Sequence, residues 1–537
     1  MTERNAGQST AVGRASGAKV SFGTRNSLKQ TSPPLKGGRG DVELWPQLSG
    51  MRKKTSSLPP FKGGTCRGRR ILIPERQSRW PSDEVGPVCS RPYPATERRL
   101  SGHIREYLEK RARLEARPVV SQSCENVEQV VVIPALAEKE SLFGALDALA
   151  QNPAEDLQRT LVICVVNNRS APFAEAVDIK NNEETLAILD AAHRGERPPE
   201  LAGALDVGLR MAHVDASSPG RELPEKGGVG SARKIGLDWG LRVLSALRGD
   251  SGLLLSLDAD TWVEPNYLPA VRASFGRPDA WAAVISYAHW LEGDPSQVAA
   301  IICYEIFLRY HVLGLAYAGS PYAFHSIGSA MACTTEAYAA VSGMNQRQAG
   351  EDFYFLQQLA KTGRVDTITS TTVHPSPRPS HRVPFGTGQR VRRFLDATQD
   401  EYVLYDPRCY EILRAWLAHV SAHLQDDAST LCDRAGSLSP SLRRFLDAQD
   451  FATAWPRLQR NAKDLAQLHI QFHRWFDGFK TLKLIHFLRD NEFPLRGMFE
   501  SAGTLLEWLG KPFPEDTAGM RDDIRRQIGL LNHLRAL

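Results

Sequence analysis

The apolar positions of this 537-residue chain fall into two rhythms. Short, largely apolar runs at residues 129–133, 160–166 and 253–257 have the length of strands buried on both faces. Between them, apolar residues recur every three or four positions. Leu142, Leu146 and Leu149 mark a helix over 141–151, and residues 177–194 read as a second. Ala232, Ile235, Trp239 and Val243 mark a third over 231–247. This strand–helix–strand alternation predicts an α/β fold: a mostly parallel sheet with helices on both faces. Further strands are expected at 282–286 and 365–368, and helices at 296–317 and 351–362. The apolar segment 328–334 is left without a type, and 205–214, apolar and polar by turns, fits neither rhythm. From residue 392 onward the pattern is helical, most clearly over 411–424, 451–479, 480–489 and 498–508.

Residues 1–100 show neither rhythm. They are rich in Gly, Ser, Pro, Lys and Arg, a disordered composition, with a short repeat (33–38, Pro-Pro-Leu-Lys-Gly-Gly; 59–64, Pro-Pro-Phe-Lys-Gly-Gly) too small to be a structural unit. The expected organisation is therefore a basic tail (1–100), a helical lead-in (101–126), an α/β domain (127–391) and a helical C-terminal region (392–537). The net charge of +5 conceals this division. The tail carries 19 Lys and Arg against 7 Asp and Glu; the remainder carries 47 against 54. The basic pI thus belongs to the tail, which lacks the interleaved aromatics of a nucleic-acid reader, so no nucleic-acid partner is expected. The eight cysteines are scattered without close pairs and suggest neither a zinc site nor a disulfide framework. No signal peptide is read at the N-terminus. The longest apolar stretch, 298–318, is broken by Glu305, Arg309 and His311, so no membrane span is expected. The resulting expectation is a cytoplasmic protein, with peripheral membrane association open.

Chemistry concentrates where strands should end. Asp258 and Asp260 follow the run 253–257 directly. Aspartate is a poor strand former, so both carboxylates should stand at the sheet's C-terminal edge, where open α/β sheets bind ligands. Carboxylates so placed can hold a hard divalent cation that also contacts a diphosphate, although a bare Asp-x-Asp also occurs as a solvated turn. Pro134, Ala135 and Glu138 follow the first strand, and Asn167 and Asn168 the second, in position to meet a base and ribose. Lys226, Arg233 and Lys234 flank a Gly-rich helix start, a combination suited to an anion. Glu351 and Asp352 open the helix at 351–362, where the dipole favours ionised carboxylates. The proline-rich loop 373–388 carries His374, a candidate metal ligand, with Arg378, His381 and Arg382.

Together these segments resemble family 2 glycosyltransferases of the GT-A fold. Val131-Val-Ile-Pro-Ala-Leu-Ala-Glu138 resembles the family's first strand and nucleotide loop. Gly230-Ser-Ala-Arg-Lys-Ile-Gly236 is similar to its Arg-bearing helix start, and Asp258-Ala-Asp260 to its metal-binding Asp-x-Asp. Gly328-Ser-Ala-Met-Ala-Cys333 resembles its acceptor-side segment, and Gly343-Met-Asn with Gly350-Glu-Asp352 its catalytic element. The match covers about residues 127–385, with the segments in the family's order. Two departures stand out. Leu136-Ala137 replace the usual Tyr-Asn, and Asn167-Asn168-Arg-Ser replace the usual Asp-Asp-Gly-Ser.

The resemblance implies sugar transfer from a nucleotide-diphosphate donor to an acceptor hydroxyl, with inversion. Asp258 and Asp260 would hold Mg²⁺ or Mn²⁺ on the diphosphate, joined by Arg233, Arg378 and Arg382. Asp352, rather than Glu351, would take the acceptor proton. The helix 296–317 and segment 322–331 would line the acceptor side, with Tyr304, Arg309, His311 and Trp290 at hand. The acceptor class (glycan, lipid-linked or small molecule) stays open. Two competing readings remain: a haloacid-dehalogenase-like phosphatase, whose motif Trp262 fits poorly, and a non-catalytic nucleotide-sugar-binding module.

Overall fold

The computed structural model describes residues 100–115, 119–120, 125–379, 386–513 and 519–537. The basic tail with its repeat, Cys66, Cys89, Cys124, His381 and Arg382 lie outside the described residues.

Nine strands form one sheet: β1 (Val119–Val120), β2 (Gln129–Ala135), β3 (Thr160–Asn167), β4 (Arg210–Ala216), β5 (Leu253–Ser256), β6 (Thr261–Val263), β7 (Ala282–Tyr287), β8 (Met331–Thr334) and β9 (Val365–Pro375). Their spatial order is β1-β4-β3-β2-β5-β8-β7-β9-β6. Strands β2 to β5 are mutually parallel, and β7 and β9 run the same way because each of the pairings β5–β8 and β8–β7 reverses direction. The sheet is mixed, but these six strands share one direction. Their C-terminal ends, with the start of β8, define a single rim.

Both faces of the sheet are covered, as the largely apolar runs require. Val131, Ile133, Val162 and Cys164 face one core with Leu142, Leu146 and Leu149 of the helix Lys139–Ala150. Val130, Val132, Ile163 and Val165 face the other with Leu237, Leu241 and Leu244 of the helix Val229–Arg248. The lead-in helix Gly102–Lys110 adds Ile104 and Tyr107 to that second core. Helix Val229–Arg248 lies unusually close to the sheet. A Cβ at Gly236 would stand 2.3 Å from Val132 Cγ1 and 3.0 Å from Val165 Cγ2. Close approach there sets the depth at which Arg233, three residues earlier, enters the rim.

Several boundaries differ from the sequence reading, each for a physical reason. β2 runs through Pro134 to Ala135; the ladder to β5 ends at Val132–Ser256, so the missing proline N–H costs nothing on that side. The unassigned stretch contains β4, which is flanked on its outer side only by the two-residue β1 and therefore keeps polar positions; its His213 pairs with Asp190 at 3.0 Å. β9 continues well past 368 to Pro375, with its register against β7 shifting between Ile285 and Ser286. Its threonine-rich middle hid a strand behind polar side chains. The segment 451–479 divides into Phe451–Asn461 and Leu465–Trp475, because Asp464 caps the second helix and Asp477 caps the next, Gly478–Asn491.

A third core joins the C-terminal helices to the helix Pro295–Tyr317, around Phe307, Tyr310, Trp416, Trp455 and Phe472. That long helix is the one described helix long and apolar enough to cross a membrane by length and composition, a property the sequence reading did not grant it. Of its apolar window, 72% is buried inside the protein. Its charged Glu305 is satisfied internally, by Arg309 and by Arg535 of the last helix, Ile524–Arg535.

Burial sets a pH limit on this core. Desolvation pushes His311 down to about 4 and His486 down to about 3, and each ring nitrogen instead meets a tyrosine hydroxyl, Tyr410 and Tyr405, at 2.9 Å. Unfolded histidines titrate near ~6.5, so below that pH the unfolded chain binds protons that the folded chain excludes. Stability should therefore fall as pH drops from 7 to 5. Each histidine contributes up to ~1.4 kcal/mol per pH unit below its unfolded pKa. Urea unfolding at stepped pH should show this slope, and His486→Gln should flatten it. A midpoint that does not move with pH contradicts the assignment.

Candidate functional site

The rim collects the residues singled out in the sequence. Asp258 and Asp260 follow β5 as expected, with the Thr261 N–H bonded to Asp258 O at 3.1 Å in a tight turn. Arg233, only 3% exposed, reaches them from the helix Val229–Arg248. One of its terminal nitrogens bonds Asp258 Oδ1 and the other bonds Glu351 Oε1. Gly328 makes room for this contact, since a Cβ there would lie 2.3 Å from the guanidinium. Four separate chain segments thus meet at one arginine.

Glu351 and Asp352 open the helix Glu351–Thr362 after Gly350, whose left-handed backbone (φ 69°) turns the chain into it. Glu351 is buried beside Arg233. Asp352 is half-buried and accepts from the Phe353 N–H at 2.7 Å. Burial raises its carboxyl above the ordinary aspartate range; Arg233 works against that rise and the charge of Asp258 adds to it.

On the other side of the Asp-Ala-Asp turn, Arg378 repeats the bridging pattern. Its Nε lies 3.0 Å from Asp260 Oδ2, and its terminal nitrogens reach Glu138 Oε1 and, at 3.4 Å, Ser141 Oγ. The Ser376 N–H bonds Asp260 O at 3.1 Å, tying the segment after β9 to the turn. Five carboxylates (Glu138, Asp258, Asp260, Glu351, Asp352) therefore face two guanidinium groups. This surplus of acid suits a divalent cation. Two carboxylates at a strand end are a sufficient protein share for a hard cation that takes its remaining ligands from phosphates and water. Among the described residues no cluster of three or more His, Cys, Asp and Glu has metal-binding geometry. A cation held by this pair would take its remaining ligands from outside the described side chains.

Other expected site residues are engaged elsewhere. His374 meets Ala288 O through Nδ1 at 3.0 Å and Glu264 Oε1 through Nε2 at 2.9 Å, and stacks on Trp290. Both ring nitrogens thus already face protein oxygens, so His374 is held where neither nitrogen is turned toward the Asp-Ala-Asp turn. Lys234 is turned away from the rim, 3.0 Å from Asp238 in a buried cluster with Tyr107 and Tyr338. Gly230 N–H, at the helix start, bonds Arg347 O, so part of the expected anion site is closed by the protein itself. Lys226 stands exposed on the loop before it.

The nucleotide-side residues are placed but internally bonded. Asn167 donates to Ala135 O and Val165 O, both at 3.1 Å. Asn168 accepts from Asn182 Nδ2 at 3.0 Å and from Ser217, and donates to Arg169 O. Asn182 also donates to Asn167 O and accepts from the Ala137 N–H at 2.9 Å. Ala137 has a positive φ of 52°, which a non-glycine residue holds only with such support. Asn182, a buried amide inside a helix, is the organiser that sequence reasoning missed. Its one signal was a polar residue on the face carrying Leu186 and Leu189. Pro134, Ala135 and Glu138 lie at the same end of β2, so the loop presents backbone groups and one carboxylate to the rim.

No known protein-family profile matches the chain, and no curated protein matches it. Solved structures similar to it include S. aureus TarS 1–349 in complex with UDP-GlcNAc, at 12% identity over 65% of this chain and 91% of that one, with a TM-score of 0.32. They include the mannosyltransferase PcManGT from Pyrobaculum calidifontis in complex with GDP-Man and Mn²⁺, at 16% identity over 69% and 92%, TM-score 0.29. They also include M. tuberculosis glucosyl-3-phosphoglycerate synthase, at 15% identity over 56% and 84%, TM-score 0.25.

Removing the guanidinium at position 233 leaves a buried, unpaired acid. Breaking a buried ion pair in this way costs about 3–5 kcal/mol. Arg233→Met should lower unfolding free energy by that order, measured by urea titration, and Arg233→Lys by less. A loss under about 1 kcal/mol for the methionine variant would mean that the arginine does not hold the two acids together.

Proposed function

We propose that this chain is an inverting, metal-dependent glycosyltransferase that moves a sugar from a nucleotide-diphosphate donor to an acceptor hydroxyl. The observation that carries this reading is the Arg233 bridge. It sets the Asp-Ala-Asp turn and the Glu351–Asp352 helix start on the same rim, close enough for one sugar to touch both. An acid pair for the donor's cation and a separate acid for the acceptor's proton are the minimum such a transfer needs.

Each residue then has a role. Asp258 and Asp260 hold Mg²⁺ or Mn²⁺ against the donor diphosphate, and the cation, when bound, neutralises charge that builds on the departing diphosphate. Arg233 and Arg378 orient those carboxylates, and can offer N–H groups to phosphate oxygens once the donor is in place. Arg382 and the exposed Lys226 are the further cations proposed for the diphosphate. The loop Pro134–Ala135 with Glu138, and the turn at Asn167 and Asn168, receive the base and ribose. Because the asparagine side chains are committed internally, backbone groups do most of that recognition. His374 steadies the rim by linking Ala288 to Glu264 and is not used as a metal ligand.

Asp352 is the proposed base, with Glu351 as its buried partner. A general base works best when its pKa lies nearer the working pH than an ordinary carboxylate's does. Burial moves Asp352 in that direction, whereas Glu351 is occupied by Arg233. A phosphatase reading needs a lysine later in the chain to serve the Asp-x-Asp turn. The first lysine after that turn, Lys361, is held by Asp477 at 2.6 Å instead, and Arg233 stands beside Asp258.

Two outcomes test this. Asp352→Asn should keep the fold and donor binding while lowering transfer at least a thousandfold, the upper part of the range for losing a positioned base (~10²–10⁴). Transfer within tenfold of wild type removes Asp352 from that role. In the absence of acceptor, wild-type protein should slowly hydrolyse a UDP- or GDP-sugar when Mn²⁺ is added and stop when it is chelated, and Asp260→Ala should abolish this activity. Hydrolysis that ignores both metal and Asp260 would sink the metal assignment.

A further inference from the structure

A surplus of the opposite sign lies against the long helix Pro295–Tyr317. Helix Thr387–Leu395 packs on the long helix Pro295–Tyr317 and carries Arg390, only 7% exposed. Its Nη2 pairs with Glu401 Oε2 at 2.8 Å. The same buried glutamate also takes the Nε of Arg393. Two guanidinium groups thus share one carboxylate. Among the described residues, Arg390 Nε and Nη1 and Arg393 Nη2 are buried without a hydrogen-bond partner. The nearby Arg521 does not change this balance, because it is paired with Asp400 at 3.0 Å.

Burying two guanidinium groups on one shared carboxylate, with N–H groups left over, is costly, and burial pushes Arg390 downward. Ring faces offset part of it, with the guanidinium carbon 4.7 Å from the Phe307 centroid and 5.6 Å from that of Tyr304. Rings do not satisfy in-plane N–H groups. Tyr304 itself stands on the long helix Pro295–Tyr317, the element expected to line the acceptor side.

We infer that Arg390, with Arg393 beside it, receives a compact oxyanion, a carboxylate or phosphate group, carried by the acceptor. The acceptor is then an anionic hydroxyl compound, its charged group held at Arg390 beside Tyr304. The word acceptor rests on the transferase reading; the oxyanion site does not.

Inorganic phosphate is the probe. Titrated calorimetrically into the full chain, it should bind wild type saturably, bind Arg390→Met at least tenfold more weakly, and bind Glu401→Gln at least threefold more tightly, since that change removes the competing carboxylate. Arg390→Lys, which keeps the charge, should fall between wild type and the methionine variant, and with Glu401→Gln it decides the matter if the methionine variant does not fold. Equal affinity across the set, or no saturable binding in wild type, overturns the site and leaves Arg390 a structural cation. Donor titration of wild type with UDP- and GDP-sugars plus Mn²⁺ judges the transferase reading separately. Donor binding with no phosphate difference removes the oxyanion site alone. A phosphate difference without donor binding keeps the site and removes its assignment to an acceptor. With both in hand, acceptors bearing a carboxylate or a phosphate, tried in parallel, tell which oxyanion is meant, and transfer to neutral analogues at the same rate overturns the assignment.

Discussion

A single buried guanidinium sets the geometry of this rim. Arg233 cannot lose its charge at any physiological pH, and at 3% exposure it cannot rely on water. It must find acids, and the acids it finds come from a strand end and a helix start that are far apart in sequence. Glycine makes this possible twice. At 236 it lets the helix lie on β2 and β3, and at 328 it clears space for the guanidinium itself. Neither glycine touches a substrate in this scheme, yet both fix where the acids stand.

Around that arginine the charges separate. The donor side holds five carboxylates against two arginines, and the Arg390–Arg393 cluster holds two arginines against one glutamate. A uniform, fully paired rim would be cheaper to fold, because unbalanced buried charge must be supported by packing elsewhere. The imbalance is the physical content of the site. Under the proposed reading, the acid-rich rim takes a cation that comes with a diphosphate, and the arginine cluster takes an anion.

Much of this could be read from the amino-acid order, and what could not has a common cause. The strands β2, β3 and β5 announced themselves because both their faces are covered, so nearly every residue is apolar. The turn acids followed from where those runs stopped. β4 and the far half of β9 escaped because they lie toward the sheet's margins, where His213 and a row of threonines can stay polar without penalty. Among site residues, type was legible and partner was not. Arg233 and Lys234 are neighbours of the same charge, but a step of one residue on a helix turns the side chain by about 100°, so one meets the rim and the other meets Asp238. His374 likewise stood at the expected strand end, and only the three-dimensional arrangement shows its two nitrogens already spent on Ala288 and Glu264.

The C-terminal helices are not a separate appendage, because they supply part of the rim's support. Arg535, near the end of the last helix, bonds both oxygens of Glu305 and the carbonyl of His289. Glu305 in turn accepts from the His289 backbone N–H and ring. The next carbonyl back, that of Ala288, receives His374. A line of bonds therefore runs from the chain's last helix, through a buried glutamate, to the residues that leave β7 and β9 beside the Asp-Ala-Asp turn. Because the long helix carrying Glu305 also carries Tyr304, the same element joins that support to the proposed oxyanion site. The helical region and the sheet rim are thus joined through Glu305 by an unbroken series of hydrogen bonds.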